Sequence, residues 1–248
     1  MIIPYIMYGI LNNMENIEIP EEYRSVDPLK DPRIGRGSPR ILDHKNELIN
    51  SIQNENSVQI GRDPEFSTTV AELVIGLMIM SLRGLGDFYL NQKNKKWNHV
   101  QYQTAHKKRI GIIGNGSTGI KVKEFIARFY SLSEVYSFSK HGKNQSFTMD
   151  KFDDLLPKLD VIIIIVPPNE ETKNIFNAER IRKMKDGALL INVSKGTSVD
   201  QEELVKHLYD KRIYAAVDQT YPIVLPENHP LWDAPNFIMT PHIGINAR

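Results

Sequence analysis
The sequence predicts an α/β fold, a doubly wound parallel sheet. Three observations lead there. From Ile110 onward, short apolar runs alternate with helix-like segments, and runs apolar on both faces mark strands buried between two helical layers. A glycine-rich turn, Gly114-Asn115-Gly116-Ser117-Thr118-Gly119, falls between the first of those runs and the helix after it. The 248 residues are 41% hydrophobic and 25% charged. That is ordinary globular composition, enough for one large domain or two small ones at ~100–200 residues each.

Residues 1–66 show no clean alternation of strand and helix, apart from a short strand at Ser57-Val58-Gln59-Ile60. Thr69-Val70-Ala71-Glu72 fits a capping box, with hydroxyl and carboxylate covering the first N–H groups of a helix. Val70, Leu73, Val74 and Leu77 then recur at helical spacing, and the helix is expected to run to about Leu85. Asn91 to Arg109 is polar, carries Trp97 and Tyr102, and reads as a loop or exposed arm.

The alternation follows. Strands are expected at Ile110–Ile113, Glu134–Phe138, Asp160–Val166, Ala188–Val193, Tyr214–Val217 and Phe237–Met239. Helices are expected at Ile120–Tyr130, Phe152–Leu156, Asn177–Met184 and Asp200–Tyr209.

Composition narrows the function. Lys+Arg minus Asp+Glu is 31 − 30 = +1, so neither a nucleic-acid partner nor an anionic membrane surface is expected. There is no cysteine, which removes disulfides, thiolate nucleophiles and cysteine metal sites. No metal site is expected. No apolar run approaches the ~20 residues of a membrane span, and a cytoplasmic protein is expected.

The glycine-rich turn is a G-x-G-x-x-G in the strand–turn–helix context that a dinucleotide site requires. Gly114 permits the tight turn, Gly116 lets the backbone approach a pyrophosphate, and Gly119 lets the helix pack against the strand. Ser117 and Thr118 open that helix, whose N–H groups would face phosphate. The second strand should end in an acid if it reads the ribose 2′-hydroxyl of NAD. Here it runs Ser137-Phe138-Ser139-Lys140-His141-Gly142-Lys143 with no acid. Ser139 and Lys140 suit a 2′-phosphate, so NAD or NADP is expected with NADP slightly preferred. The other reading makes Lys140 and Lys143 solvated loop charges.

Further blocks then fall in order: Leu159-Asp160-Val161, Val166 to Thr172, Met184 to Val193, and Pro230 to Gly244. With these the chain resembles the D-isomer-specific 2-hydroxyacid dehydrogenases over about residues 66–244. The resemblance implies a Rossmann-type NAD(P)-binding domain at 67–244. Residues 1–66 would be part of a smaller, incomplete flavodoxin-like substrate domain, and 245–248 the start of a truncated return to it. It implies reversible hydride transfer between a nicotinamide and a small 2-oxo acid, such as glyoxylate or hydroxypyruvate.

Each implied site residue maps to one position. His242, in Thr240-Pro241-His242-Ile243-Gly244, is the acid that protonates the developing alkoxide. Lys195 stands where the family has the arginine that binds the substrate carboxylate and carbonyl. It keeps the charge but loses the planar fork. Ile223 stands where a glutamate bonds the histidine. Asp218 is expected to face the nicotinamide carboxamide, with backbone contacts from Val193 and Ser194. Val166, Pro167 and Thr172 lie beside the nicotinamide ribose, and Gly244 closes the histidine turn. Ile34 to Ser38 is either a loop for the substrate carboxylate or a surface turn. The 91–109 arm implies a homodimer. The altered positions keep a second reading open, a catalytically impaired member that binds a dinucleotide as a sensor or partner-binding module.

Overall fold
The structure, a computed structural model, describes residues 64–142 and 145–244. The expectations for Ser57–Ile60, Ile34–Ser38, Lys143 and residues 245–248 fall outside them. The chain divides into two units after Glu55, and every described residue belongs to the second, Asn56–Arg248.

Six parallel strands form one sheet in the order β2-β1-β3-β4-β5-β6. They are β1 Arg109–Ile113, β2 Glu134–Phe138, β3 Val161–Ile164, β4 Leu189–Asn192, β5 Tyr214–Val217 and β6 Phe237–Met239. Among the described residues the α-helices are α1 Pro64–Leu82, α2 Leu85–Lys93, α3 Ser117–Phe129, α4 Met149–Leu155, α5 Ala178–Lys183 and α6 Gln201–Tyr209.

Strand residues alternate between two cores, as the pleat requires. Ile110, Ile112, Val161, Ile163, Leu189 and Ile191 pack with Val70, Val74 and Met78 of α1 and Val122 and Ile126 of α3. Ile113, Ile162, Ile164 and Leu190 face the other way, against Phe152, Ile181, Leu204 and Leu208 of α4, α5 and α6. Burial on both faces explains why β3 reads Val-Ile-Ile-Ile and β4 Leu-Leu-Ile without polar alternation. Each such side chain contributes about 1.5–3 kcal/mol relative to exposure.

Three expectations need correction. Thr69 is not a helix cap, because α1 begins at Pro64, a residue suited to a first turn where its missing N–H is no loss. The Thr69 hydroxyl instead donates to the Phe66 and Gly244 carbonyls, both at 3.0 Å. The helix also ends sooner, at Leu82. Gly84 follows in the left-handed region (φ 58°), with the Tyr102 ring occupying the space a Cβ would need. A second helix, α2, then covers the start of the expected arm, and Asn94 to Lys108 continues without regular structure. The Tyr102 hydroxyl donates to Asp87 at 2.8 Å. Burial, and that bond to a carboxylate, push the phenol up to about 12.

Among the described residues one helix, Glu65–Leu82, is long and apolar enough to cross a membrane by length and composition. Half of it is buried in the domain, where it covers one face of the sheet beside α3.

Candidate functional site
In a parallel sheet every strand delivers its following loop to the same edge. The strand order reverses between β1 and β3. A crevice opens at such a switch point, outside the carboxyl ends of the strands. The loops after β1, β3, β4, β5 and β6 carry all the expected site residues except Ser139 and Lys140, which follow β2.

The three glycines after β1 divide by their surroundings. Gly114 has φ 111°, and a Cβ there would lie 1.8 Å from the Ile165 carbonyl oxygen. A Cβ on Gly119 would lie 2.2 Å from the Gly114 carbonyl oxygen. Both are required by the protein's own packing. Gly116 is different. Its φ is −80°, ordinary for any residue, and nothing lies within 4 Å of its Cβ position. That open space at the start of the 13-residue α3 is what a pyrophosphate needs for close approach to backbone N–H groups. The residues present therefore fit a dinucleotide. Gly116 and Ser117 are exposed there, and Thr118 is buried. The Thr118 hydroxyl lies 3.3 Å from that of Ser67 on α1, so it fastens α3 to α1 and leaves its backbone to the loop.

After β2, the Ser139 hydroxyl is 2.6 Å from that of Ser146. Lys140 pairs with Glu171, in the loop after β3, at 2.6 Å. The Lys140 ammonium holds the Glu171 carboxyl below the usual carboxylate range. After β3, the Thr172 hydroxyl donates to the Pro167 carbonyl at 2.6 Å, while Thr172 and Asn169 exchange side chain–backbone bonds at 3.0 Å. Thr172 thus shapes its own loop.

β3 and β4 are laced together at this edge. The Val166 N–H donates to the Ser194 hydroxyl at 2.8 Å, and that hydroxyl donates to the Ile164 carbonyl at 3.1 Å. The Ser194 N–H donates to the Asn192 side chain at 3.0 Å, and the Val193 N–H to Ile164 at 3.2 Å. The backbone N–H groups of Val193 and Ser194 are thus both engaged within the sheet edge. Lys195 follows, with its side chain exposed.

Asp218 follows β5 directly and is buried. One carboxylate oxygen accepts the Thr240 hydroxyl at 2.6 Å and the Ile243 N–H at 2.9 Å, and the other accepts the Gly244 N–H at 3.0 Å. The His242 N–H donates to the Asp218 carbonyl at 2.7 Å. His242 itself lies in the left-handed region (φ 56°), which disfavours a side-chain-bearing residue. Asp218 therefore holds the histidine turn, a role its position in the sequence did not suggest. The bonds span 22 to 26 residues, and no local pattern signals them. Thr69 adds a second fastening, through the Gly244 carbonyl.

Ile223 lies half-buried after the cis Tyr221–Pro222 bond. Its carbonyl accepts from the Thr220 hydroxyl at 3.2 Å, and its side chain offers the imidazole no acceptor. Glu227, the nearest acid in that loop, is exposed. No group of three or more potential metal-ligating side chains occurs among the described residues.

Comparison with known proteins places the domain in a family. Residues 75–244 match the family model for the NAD binding domain of D-isomer specific 2-hydroxyacid dehydrogenases. The chain is 34% identical over 188 residues to the glyoxylate reductase of Thermofilum pendens, covering 71% of this chain and 55% of that protein. It is 35% identical over 191 residues to the D-3-phosphoglycerate dehydrogenase of Escherichia coli K12, covering 72% and 46%. A D-isomer specific 2-hydroxyacid dehydrogenase from Xanthobacter autotrophicus Py2, solved with NADPH and MES, superposes with a TM-score of 0.66 at 28% identity, over 75% of this chain and 60% of that one. The NAD-dependent formate dehydrogenase from Staphylococcus aureus, solved with NAD, gives 0.66 at 27% identity, over 72% and 55%. This chain thus spans about half the length of the curated relatives it matches.

Proposed function
The chain belongs to the D-isomer specific 2-hydroxyacid dehydrogenases through its NAD-binding domain, and from that premise we propose that it interconverts a small 2-hydroxy acid and its 2-oxo acid. The observation that carries the reading is the shared sheet edge. The phosphate turn after β1, Lys195 after β4, Asp218 after β5 and His242 after β6 all stand at the carboxyl ends of one parallel sheet. When bound, the nicotinamide supplies or takes the hydride.

The residues then divide the work. The Lys195 ammonium binds the substrate carboxylate and polarises the 2-oxo group. As a point charge it orients the substrate less strictly than a guanidinium fork. The His242 imidazole gives its proton to the developing alkoxide in reduction, and takes it back in oxidation. Asp218 keeps the turn carrying that imidazole in place. Val166, Pro167 and Thr172 form the wall beside the nicotinamide ribose. The protein works as a cytoplasmic homodimer on glyoxylate or hydroxypyruvate.

Ile223 favours a second reading. Isoleucine at 223 neither accepts the imidazole N–H nor stabilises its charge, which suits a member that binds the dinucleotide as a sensor or partner-binding module. One assay separates the two, NADPH and NADH oxidation with glyoxylate and hydroxypyruvate. Turnover that disappears in His242→Ala is expected for the enzyme, with at least a tenfold gain in kcat, about 1.4 kcal/mol, in Ile223→Glu. A chain that binds cofactor yet turns over neither acid, with or without Ile223→Glu, contradicts the enzyme and leaves the binding module.

A further inference from the structure
The phosphate turn lies between the ends of β2 and β3. The Gly114 N–H donates to the Phe138 carbonyl of β2 at 2.9 Å, while the α-carbon of Gly114 packs against the Ile165 carbonyl beyond β3. The Lys140–Glu171 pair joins the loops that follow those same two strands, at 2.6 Å. Because β1 lies between β2 and β3, the pair spans the carboxyl end of β1, beside the turn. Both ends are held. Ser139 is fastened to Ser146 by its hydroxyl, and its N–H donates to the Phe147 carbonyl. Glu171 belongs to the Asn169–Thr172 turn, closed by the reciprocal bonds of those two residues.

A ribose carrying a 2′-hydroxyl needs an acceptor at the end of β2, and β2 ends without an acid. The carboxylate that reaches this end comes from across the sheet. Resting on the dinucleotide reading above, we propose that Lys140 and Glu171 together select the cofactor. Glu171 supplies the carboxylate that accepts the 2′-hydroxyl of NADH, and Lys140 supplies the cation for the 2′-phosphate of NADPH. Each cofactor uses one partner and displaces it from the other. A dianionic phosphate takes Lys140 and repels Glu171. A 2′-hydroxyl donates to Glu171 and leaves Lys140 to solvent. The pair therefore sets the ratio of the two affinities, and neither residue sets it alone.

The test titrates NADPH and NADH separately into the parent chain, Glu171→Gln and Lys140→Met, followed by nicotinamide fluorescence. Melting curves check that all three fold alike. Both side chains are exposed, so effects of about three- to fivefold are expected. Glu171→Gln should weaken NADH by that factor while NADPH holds or tightens. Lys140→Met should weaken NADPH while NADH holds or tightens. Binding of both cofactors with a ratio that neither variant moves, or that both move in the same direction, overturns this proposal alone. A parent chain that binds neither cofactor overturns the dinucleotide reading and this proposal with it.

Discussion
The two halves of the site are built by different means. At the phosphate turn, shape comes from the backbone. Gly114 and Gly119 exist because carbonyl oxygens stand where their Cβ atoms would be, and Gly116 leaves space open at a helix start. At the other half, shape comes from side chains. One carboxylate, Asp218, collects three donors to hold the histidine turn, and the proposed chemistry depends on what stands at 195, 223 and 242. A half made of backbone tolerates few changes, and it matches the G-x-G-x-x-G pattern in full. A half made of side chains can change one residue at a time, and under the proposed function it carries Lys195 and Ile223 where the resemblance implies arginine and glutamate. Cofactor binding and the proposed catalysis are therefore open to separate change.

The contrast can be broken most forcefully at Gly114. Gly114→Ala places a Cβ against the Ile165 carbonyl at a positive φ. A loss of about 3 kcal/mol or more in stability is expected, read as a large drop in Tm together with lost cofactor binding. A variant that melts like the parent would show that the backbone does not define this half.

Asp218→Asn comes next. It keeps the acceptor for Thr240 and Ile243 but puts an amide donor opposite the Gly244 N–H. A cost of about 1–3 kcal/mol is expected, visible in urea unfolding, with cofactor affinity changed less than turnover. Equal loss of both would mean that the halves are not separable.

The smallest effect lies away from the site. Asp160 ties the starts of β1 and β3 together through the Arg109 N–H at 2.9 Å, with Lys185 at 2.6 Å and Lys108 at 4.0 Å. Burial raises its carboxyl, but that N–H and the two lysines outweigh burial and hold it below the usual range. A depressed carboxyl contributes its stability above the unfolded value of ~3.9 and loses it as pH falls through the lower folded value. Asp160→Asn should therefore lower Tm at neutral pH, with a gap from the parent that closes on acidification. A gap constant from pH 7 to pH 2 would contradict the assignment.

Legibility followed the same division. Strands buried on both faces, β3 and β4, carry their signal in consecutive apolar residues, and the bounds of Glu134–Phe138, Tyr214–Val217 and Phe237–Met239 stand where the sequence places them. The start of α1 was misread because Thr-x-x-Glu also occurs inside a helix, where Thr69 bonds back to Phe66. The helix α2 escaped notice because it buries no residue, so it has no apolar stripe to read. The phosphate turn is local and was legible. The Asp218 clamp and the Lys140–Glu171 pair join residues 22 to 31 positions apart, and only the folded sheet edge brings them together.

The central claim is that the open space over Gly116 receives a dinucleotide. NADPH titrated into the parent chain and into Gly116→Val tests it directly. The valine fits a backbone at φ −80° with nothing within 4 Å of its Cβ, so Tm should hold. Saturable binding by the parent, with at least a tenfold loss in the variant, is the expected result. Equal binding by both proteins, or none by the parent, would contradict it.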